Sequence, residues 1–146
     1  VLDGTENTMP KIILVGVDGS DSSRRAAETA ASLAASTGAT LHVMMAAEDR
    51  DRPTEGQYVG DVRIQSPAEA TATEIAESLT GIVPNVQAGP AHGKPADALV
   101  QVAADIGADL IVVGNRRVQG IGRFLGSVAT DVAQHAPCDV YIVKTV

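Results

Sequence analysis

The chain has 146 residues, a length that suits one domain, and 45% hydrophobic against 20% charged residues supply enough apolar side chain for a core and exclude a disordered-tail composition. Eighteen acidic against eleven basic residues give a formal net charge of -7, which excludes a general binder of nucleic acid or anionic membrane, and aromatics at 2% exclude stacking platforms for single strands. A single cysteine, Cys138, excludes an intrachain disulfide and a cysteine-rich zinc site.

Residues 1–10 are polar and unpatterned, and are expected to be a disordered extension ahead of one domain over 11–146. No basic start leads into an apolar run and no apolar stretch exceeds strand length, so neither a signal peptide nor a membrane span is expected, and with one cysteine the expected location is cytoplasmic. Residues 11–17 (KIILVGV) form a short run rich in Ile and Val, the pattern of a strand buried on both faces. Asp18-Gly19-Ser20 then turns into an alanine-rich helix that stops at Gly38. A second strand is expected over 40–46, and residues 47–64, which lack periodicity, as a long mobile loop.

Ser66-Pro67-Ala68-Glu69 combines a serine cap, a proline at the first helical position and a glutamate three residues after the cap, so a second helix is expected from there to about Gly81. Residues 82–88 read as a weaker third strand, with Pro84 suited to a sheet edge. Gly93-Lys94-Pro95 restarts a helix that ends at Gly107. Residues 109–114 (DLIVVG) form the fourth strand, a helix is expected over 127–135, and residues 138–143 (CDVYIV) form the fifth. Strands alternating with helices predict an α/β three-layer sandwich with a five-stranded, mostly parallel sheet in the order 3-2-1-4-5, a Rossmann-like arrangement. Ligands of such sheets sit beyond the carboxyl ends of the strands where the order reverses, which brings Gly16, Val17 and Asp18 to the same crevice as the segment after Val113.

That segment, from Gly114 to Val128, carries glycines at 114, 120, 122 and 126 and ends on a helix start whose N–H groups face outward. Arg116, Arg117 and Arg123 make a cationic island with no acidic residue between Asp109 and Asp131. A phosphate cradle accounts for the island; so does a solvated glycine-rich connection whose arginines keep it soluble.

The residues KIILVGVDGSDSS, the Gly-x-Pro before the third helix, DLIVVGN, the Gly-Ser opening the last helix and APCDVYIVK together resemble the universal stress proteins of the UspA type, over essentially the whole domain. The family's ATP-binding branch has Gly, two residues, Gly, about nine residues, then Gly-Ser or Gly-Thr. Gly114 and Gly126-Ser127 match it, but Arg117 stands at the second glycine and eight residues separate it from Gly126. The resemblance implies an adenine nucleotide α-hydrolase-like fold and a homodimer paired through the C-terminal strand. It also implies ATP, with cyclic AMP as the nearest variant, bound in a regulatory role in stress adaptation without a catalytic residue.

By position, Gly16, Val17 and Asp18 would line the ribose, Val43 or Met44 at the end of the second strand would offer backbone groups to adenine, and Val113, Gly114 and Asn115 would lie under the ribose and first phosphate. Arg116 and Arg117 would add charge, while Gly126, Ser127 and Val128 would bind phosphates. Asp18 would hold Mg2+ through water, and it equally suits a cap on the first helix. A slow ATPase or phosphoryl-transfer enzyme on the same fold, and a dimeric scaffold without nucleotide, are the competing classes.

Three other features carry no site. In the segment from Gly89 to Pro95 only three residues separate the two glycines, and proline stands where a Walker loop needs Ser or Thr. His42, His92 and His135 lack ligand spacing. Cys138 reads as a small core residue.

Overall fold

Parity along the first apolar run organises the layers. In the computed structural model, which describes residues 9–47, 58–59, 62–63, 66–115 and 126–145, β1 (Ile12–Val17) sends Ile13, Val15 and Val17 into one apolar layer and Leu14 into another. A strand covered on both faces needs no polar alternation, which is why its sequence is an unbroken apolar run. Asp109 pins its start: Oδ2 accepts the N–H groups of Lys11 and Ile12, each at 2.9 Å.

The other elements are α1 (Asp21–Thr37), β2 (Thr40–Ala47), β3 (Tyr58–Val59), β4 (Val62–Arg63), α2 (Pro67–Ser78), β5 (Val86–His92), α3 (Pro95–Ile106), β6 (Leu110–Gly114), α4 (Ser127–His135) and β7 (Asp139–Val143). The main sheet has the order β5-β2-β1-β6-β7, with every pair parallel. Counted along the chain, its strands stand 3-2-1-4-5, as the alternation of elements implies. α1 and α2 cover one face of this sheet and α3 and α4 the other.

Local chemistry sets the helix ends. Ser20 Oγ accepts the Ser23 N–H at 3.1 Å and Ser66 Oγ accepts the Glu69 N–H at 3.1 Å, each relieving one of the donors a helix start leaves open. α1 and α3 both stop at a left-handed glycine, Gly38 at φ 74° and Gly107 at φ 68°. The inward face of α1 is Ser23 with Ala26, Ala27, Ala30, Ala31 and Ala34, small enough for the helix to lie close against the sheet.

Three expectations differ from the molecule. The third strand of the sheet is Val86–His92 rather than 82–88, and α2 stops at Ser78 rather than near Gly81. Between them, Ile82 and Val83 both donate their N–H to the Leu79 carbonyl, at 2.9 and 3.0 Å, so the chain turns there and Val83 plugs the core at 0% exposure. The edge proline is therefore Pro90 and not Pro84. Within 47–64 the short β3–β4 antiparallel pair forms; most of that segment lies outside the described residues, as do 1–8 of the expected N-terminal extension.

His42 stands inside β2, opposite Leu14 on one side and Gln87 on the other, and burial holds its pKa below the usual 6.5. The unfolded chain therefore takes up this proton before the folded one. The contribution is complete above pH 6.5 and is lost as pH falls from there through the lower folded value. His42→Gln should flatten that decline, bringing the urea midpoints at pH 7.5 and pH 5.5 closer together than in the parent.

Candidate functional site

β1 and β6 are bonded neighbours, yet the chain leaves β1 for α1 on one face and reaches α4 on the other after β6, so a crevice opens beyond their carboxyl ends. A helix joining two parallel strands must run back against them, so α1 and α4 both begin at that edge of the sheet. The topology thus brings together the ends of β1 (Gly16, Val17, Asp18) and β6 (Val113, Gly114, Asn115) and the start of α4 (Gly126, Ser127, Val128). Arg116, Arg117 and Arg123 lie outside the described residues.

The α4 start differs from those of α1 and α2. Its N-cap is Gly126, at φ -62° and ψ 156°, and no side chain of the described residues caps it. Among the described residues no side chain takes the first N–H groups of α4, which carry the positive dipole end, the combination that receives an anionic oxygen. The Gly126 carbonyl is occupied, accepting both the N–H and the Oγ1 of Thr130 at 3.1 Å. At the β1 end, Asp18 Oδ1 accepts the Ser20 N–H at 2.9 Å and the Asp18 N–H donates to Ser23 Oγ at 3.2 Å, so this carboxylate also holds the turn into α1.

Protein fills the space beside both strand-end glycines. A Cβ on Gly16 would lie 2.7 and 2.9 Å from the two Cδ atoms of Leu99, so α3 rests directly on β1 there. A Cβ on Gly114 would lie 3.3 Å from Ser22 Oγ and 3.4 Å from Thr145 Oγ1. Close packing therefore explains both residues independently of any ligand.

Val43 and Met44 stand inside β2, not at its end, which is Ala47. The Thr40 N–H donates to Lys11 and the Leu41 N–H to Asn85, so backbone groups of even residues face β1 and those of odd residues face β5. Val43 and Met44 are therefore committed to ladders with Ala88 and Gly16 as their register partners. Val17 pairs with Met45, so the carbonyl of Ala46 is the first β1-facing group of β2 to pass the end of that strand, its N–H still facing the Val17 carbonyl.

Asn115 is tied to the segment after β7. Its Oδ1 accepts the N–H of Thr145 at 2.8 Å and Thr145 Oγ1 at 3.1 Å, and its own N–H donates to the Val143 carbonyl at 3.0 Å. With its proton on Asn115, Thr145 Oγ1 accepts from Ser22 Oγ, and Arg25 Nη1 donates to the Thr145 carbonyl at 3.1 Å. Ser22 and Thr145 escape a motif reading because the partners are 123 residues apart and a lone Ser or Thr carries no spacing signal.

No group of three potential metal-ligating side chains occurs among the described residues, and no helix there is long and apolar enough to cross a membrane. Burial, then the nearby carboxylates of Asp139 and Asp109, push the Cys138 thiol up and disfavour its nucleophilic thiolate.

Comparison with known proteins agrees with this architecture. A universal stress protein of Thermus aquaticus is 39% identical over 144 residues, covering 93% of this chain and all of that protein. A universal stress protein crystallised in complex with cAMP superposes with a TM-score of 0.77 at 34% identity, covering 95% of this chain and 100% of the other. The universal stress protein of Archaeoglobus fulgidus in complex with dAMP gives 0.60 at 25% identity, covering 94% and 100%. Residues 9–144 match the model of the universal stress protein family, and the chain belongs to that family.

Proposed function

We propose that this protein binds an adenine nucleotide, ATP in preference to cyclic AMP, in the crevice beyond β1 and β6, and acts by that binding in the regulation of stress adaptation. The observation that carries the reading is the α4 start, a glycine-opened helix mouth that no side chain of the described residues caps, at the switch point of a parallel sheet. The complexes of relatives with cAMP and dAMP support an adenine nucleotide. Phosphates would meet the N–H groups of Ser127 and Val128, adenine would meet backbone near Ala46, and Gly16, Val17 and Asp18 would border the ribose. A carboxylate offers about four lone-pair sites, so Asp18 can keep its turn and still accept from water on Mg2+. A cytoplasmic setting accords with the single cysteine.

The test is calorimetry of nucleotide-stripped protein with ATP, ADP, AMP and cyclic AMP, followed by a phosphate-release assay. Binding without release supports a regulatory binder, release identifies a slow ATPase, and no binding identifies a scaffold. Arg117→Gly sharpens it. An arginine contact to phosphate contributes about 1.5–3 kcal/mol, so ATP should weaken more than AMP, by roughly 10- to 100-fold, and the remaining affinity should depend less on salt. Tighter ATP binding in the variant would show an obstructing arginine and favour the scaffold.

We also propose a homodimer through β7. The two sheet edges differ. In β5 the outward-facing positions include Pro90, which has no N–H to give a new strand. In β7 the Asn115 bond to Val143 turns odd residues toward β6, leaving Val140 and Ile142 facing outward with both backbone groups. Isologous pairing would satisfy that edge. Val140→Pro removes an outward donor and leaves the ladder to β6; light scattering should give a dimer for the parent and a monomer for this variant at micromolar concentration.

A further inference from the structure

We propose that Thr145 is a positioning residue of the phosphate-binding crevice. It lies beyond the sheet, since β7 ends at Val143 and its last pairing partner is Gly114. A residue past a strand end usually trails into solvent, but Thr145 is only 6% exposed. Its N–H and Oγ1 both donate to Asn115 Oδ1, its Oγ1 meets Ser22 Oγ, and its carbonyl accepts Arg25 Nη1. One side chain thus ties the residue after β6 to the first turn of α1, and these are the two elements that flank the crevice.

The chemistry gives the tie a direction. Two donors converge on one oxygen of Asn115, so the side-chain amide cannot turn over without setting N–H against N–H. Its Oδ1 is held toward Thr145, and its Nδ2 donors point the opposite way. With Oδ1 held on Thr145, this oxygen is not turned toward an anion in the crevice, where it would repel phosphate. Gly114 has no side chain where Ser22 and Thr145 press against it, so the clasp closes directly on the backbone that begins the phosphate segment.

The binding part of this proposal rests on the nucleotide reading; the clasp itself does not. Two variants and two measurements separate them. Thr145→Val keeps the shape and the backbone bond but loses the hydroxyl, and Thr145→Ser restores the hydroxyl. In the nucleotide-free protein, Thr145→Val should raise hydrogen exchange at the Asn115 amide about tenfold, with little change in β5, and Thr145→Ser should stay near the parent. In calorimetry, Thr145→Val should weaken AMP and ATP about tenfold and adenosine less than twofold, with Thr145→Ser restoring both. Unchanged exchange at Asn115, or equal losses for adenosine and AMP, would overturn the positioning role. A parent that binds no adenine nucleotide would overturn the nucleotide reading alone, and exchange at Asn115 would still decide the clasp.

Discussion

Gly126→Val should abolish nucleotide binding while leaving the protein folded. The backbone at Gly126 is extended, φ -62° and ψ 156°, a conformation valine adopts without strain, and the bonds its carbonyl receives from Thr130 do not depend on its side chain. What changes is the mouth of α4, where an isopropyl group would take the volume through which an anionic oxygen reaches the N–H groups of Ser127 and Val128. Two charge-assisted bonds at about 1.5–3 kcal/mol each correspond to a loss of more than 100-fold. Calorimetry with ATP measures this loss, and circular dichroism with the melting temperature measures the fold. Gly126→Ala supplies a graded version with one methyl group. Unchanged affinity in folded Gly126→Val would remove α4 from the site.

Gly16→Val should destabilise the fold by overpacking the contact between β1 and α3. Its Cβ would enter within 3 Å of both methyl groups of Leu99, which is buried at 3% exposure and packed among Leu14, Met44 and Ile111. Overpacking of this kind costs about 1–3 kcal/mol, and two further methyl groups place it at the upper end. Leu99→Ala alone should cost about 2–5 kcal/mol through its cavity. Because the two errors are complementary, the double variant should be more stable than the sum of the single losses predicts. Urea midpoints for the four proteins close the cycle, and strict additivity would show that Leu99 is not what confines Gly16.

The parallel sheet and its helices were legible because their signals are local and repeated. The apolar run of β1, the capping serines of α1 and α2, and the glycines ending α1 and α3 each act within a few residues. The boundary between α2 and β5 was not legible for the converse reason. Ile82 and Val83 have strand composition but turn over Leu79, and Gly89-Pro90, a pair that favours turns in general, lies inside a strand because residue 90 faces away from β2 and needs no donor. At the site, the chain positions of Gly16, Gly114 and Gly126 were visible, but their reasons were not equally so. Leu99 on Gly16 and Thr145 on Gly114 are tertiary contacts, invisible to any spacing rule, and the strand phase that keeps Val43 and Met44 within ladders depends on where β1 and β5 pair with β2.

The alanine face of α1 has a consequence for how this sequence can drift. Alanine can be shortened only to glycine, which weakens a helix interior, and every other replacement is larger. Ala26, Ala27, Ala30, Ala31 and Ala34 are all at 0% exposure, so no neighbour stands in solvent ready to make room. The opposite layer mixes Leu14, Met44, Leu99, Ile111 and Val132, where a change in one side chain can be offset by a change in the next. Substitutions among descendants of this chain should therefore collect between the sheet and α3 and α4, while the seam under α1 stays fixed and keeps Ser22 at a constant distance from the end of β6.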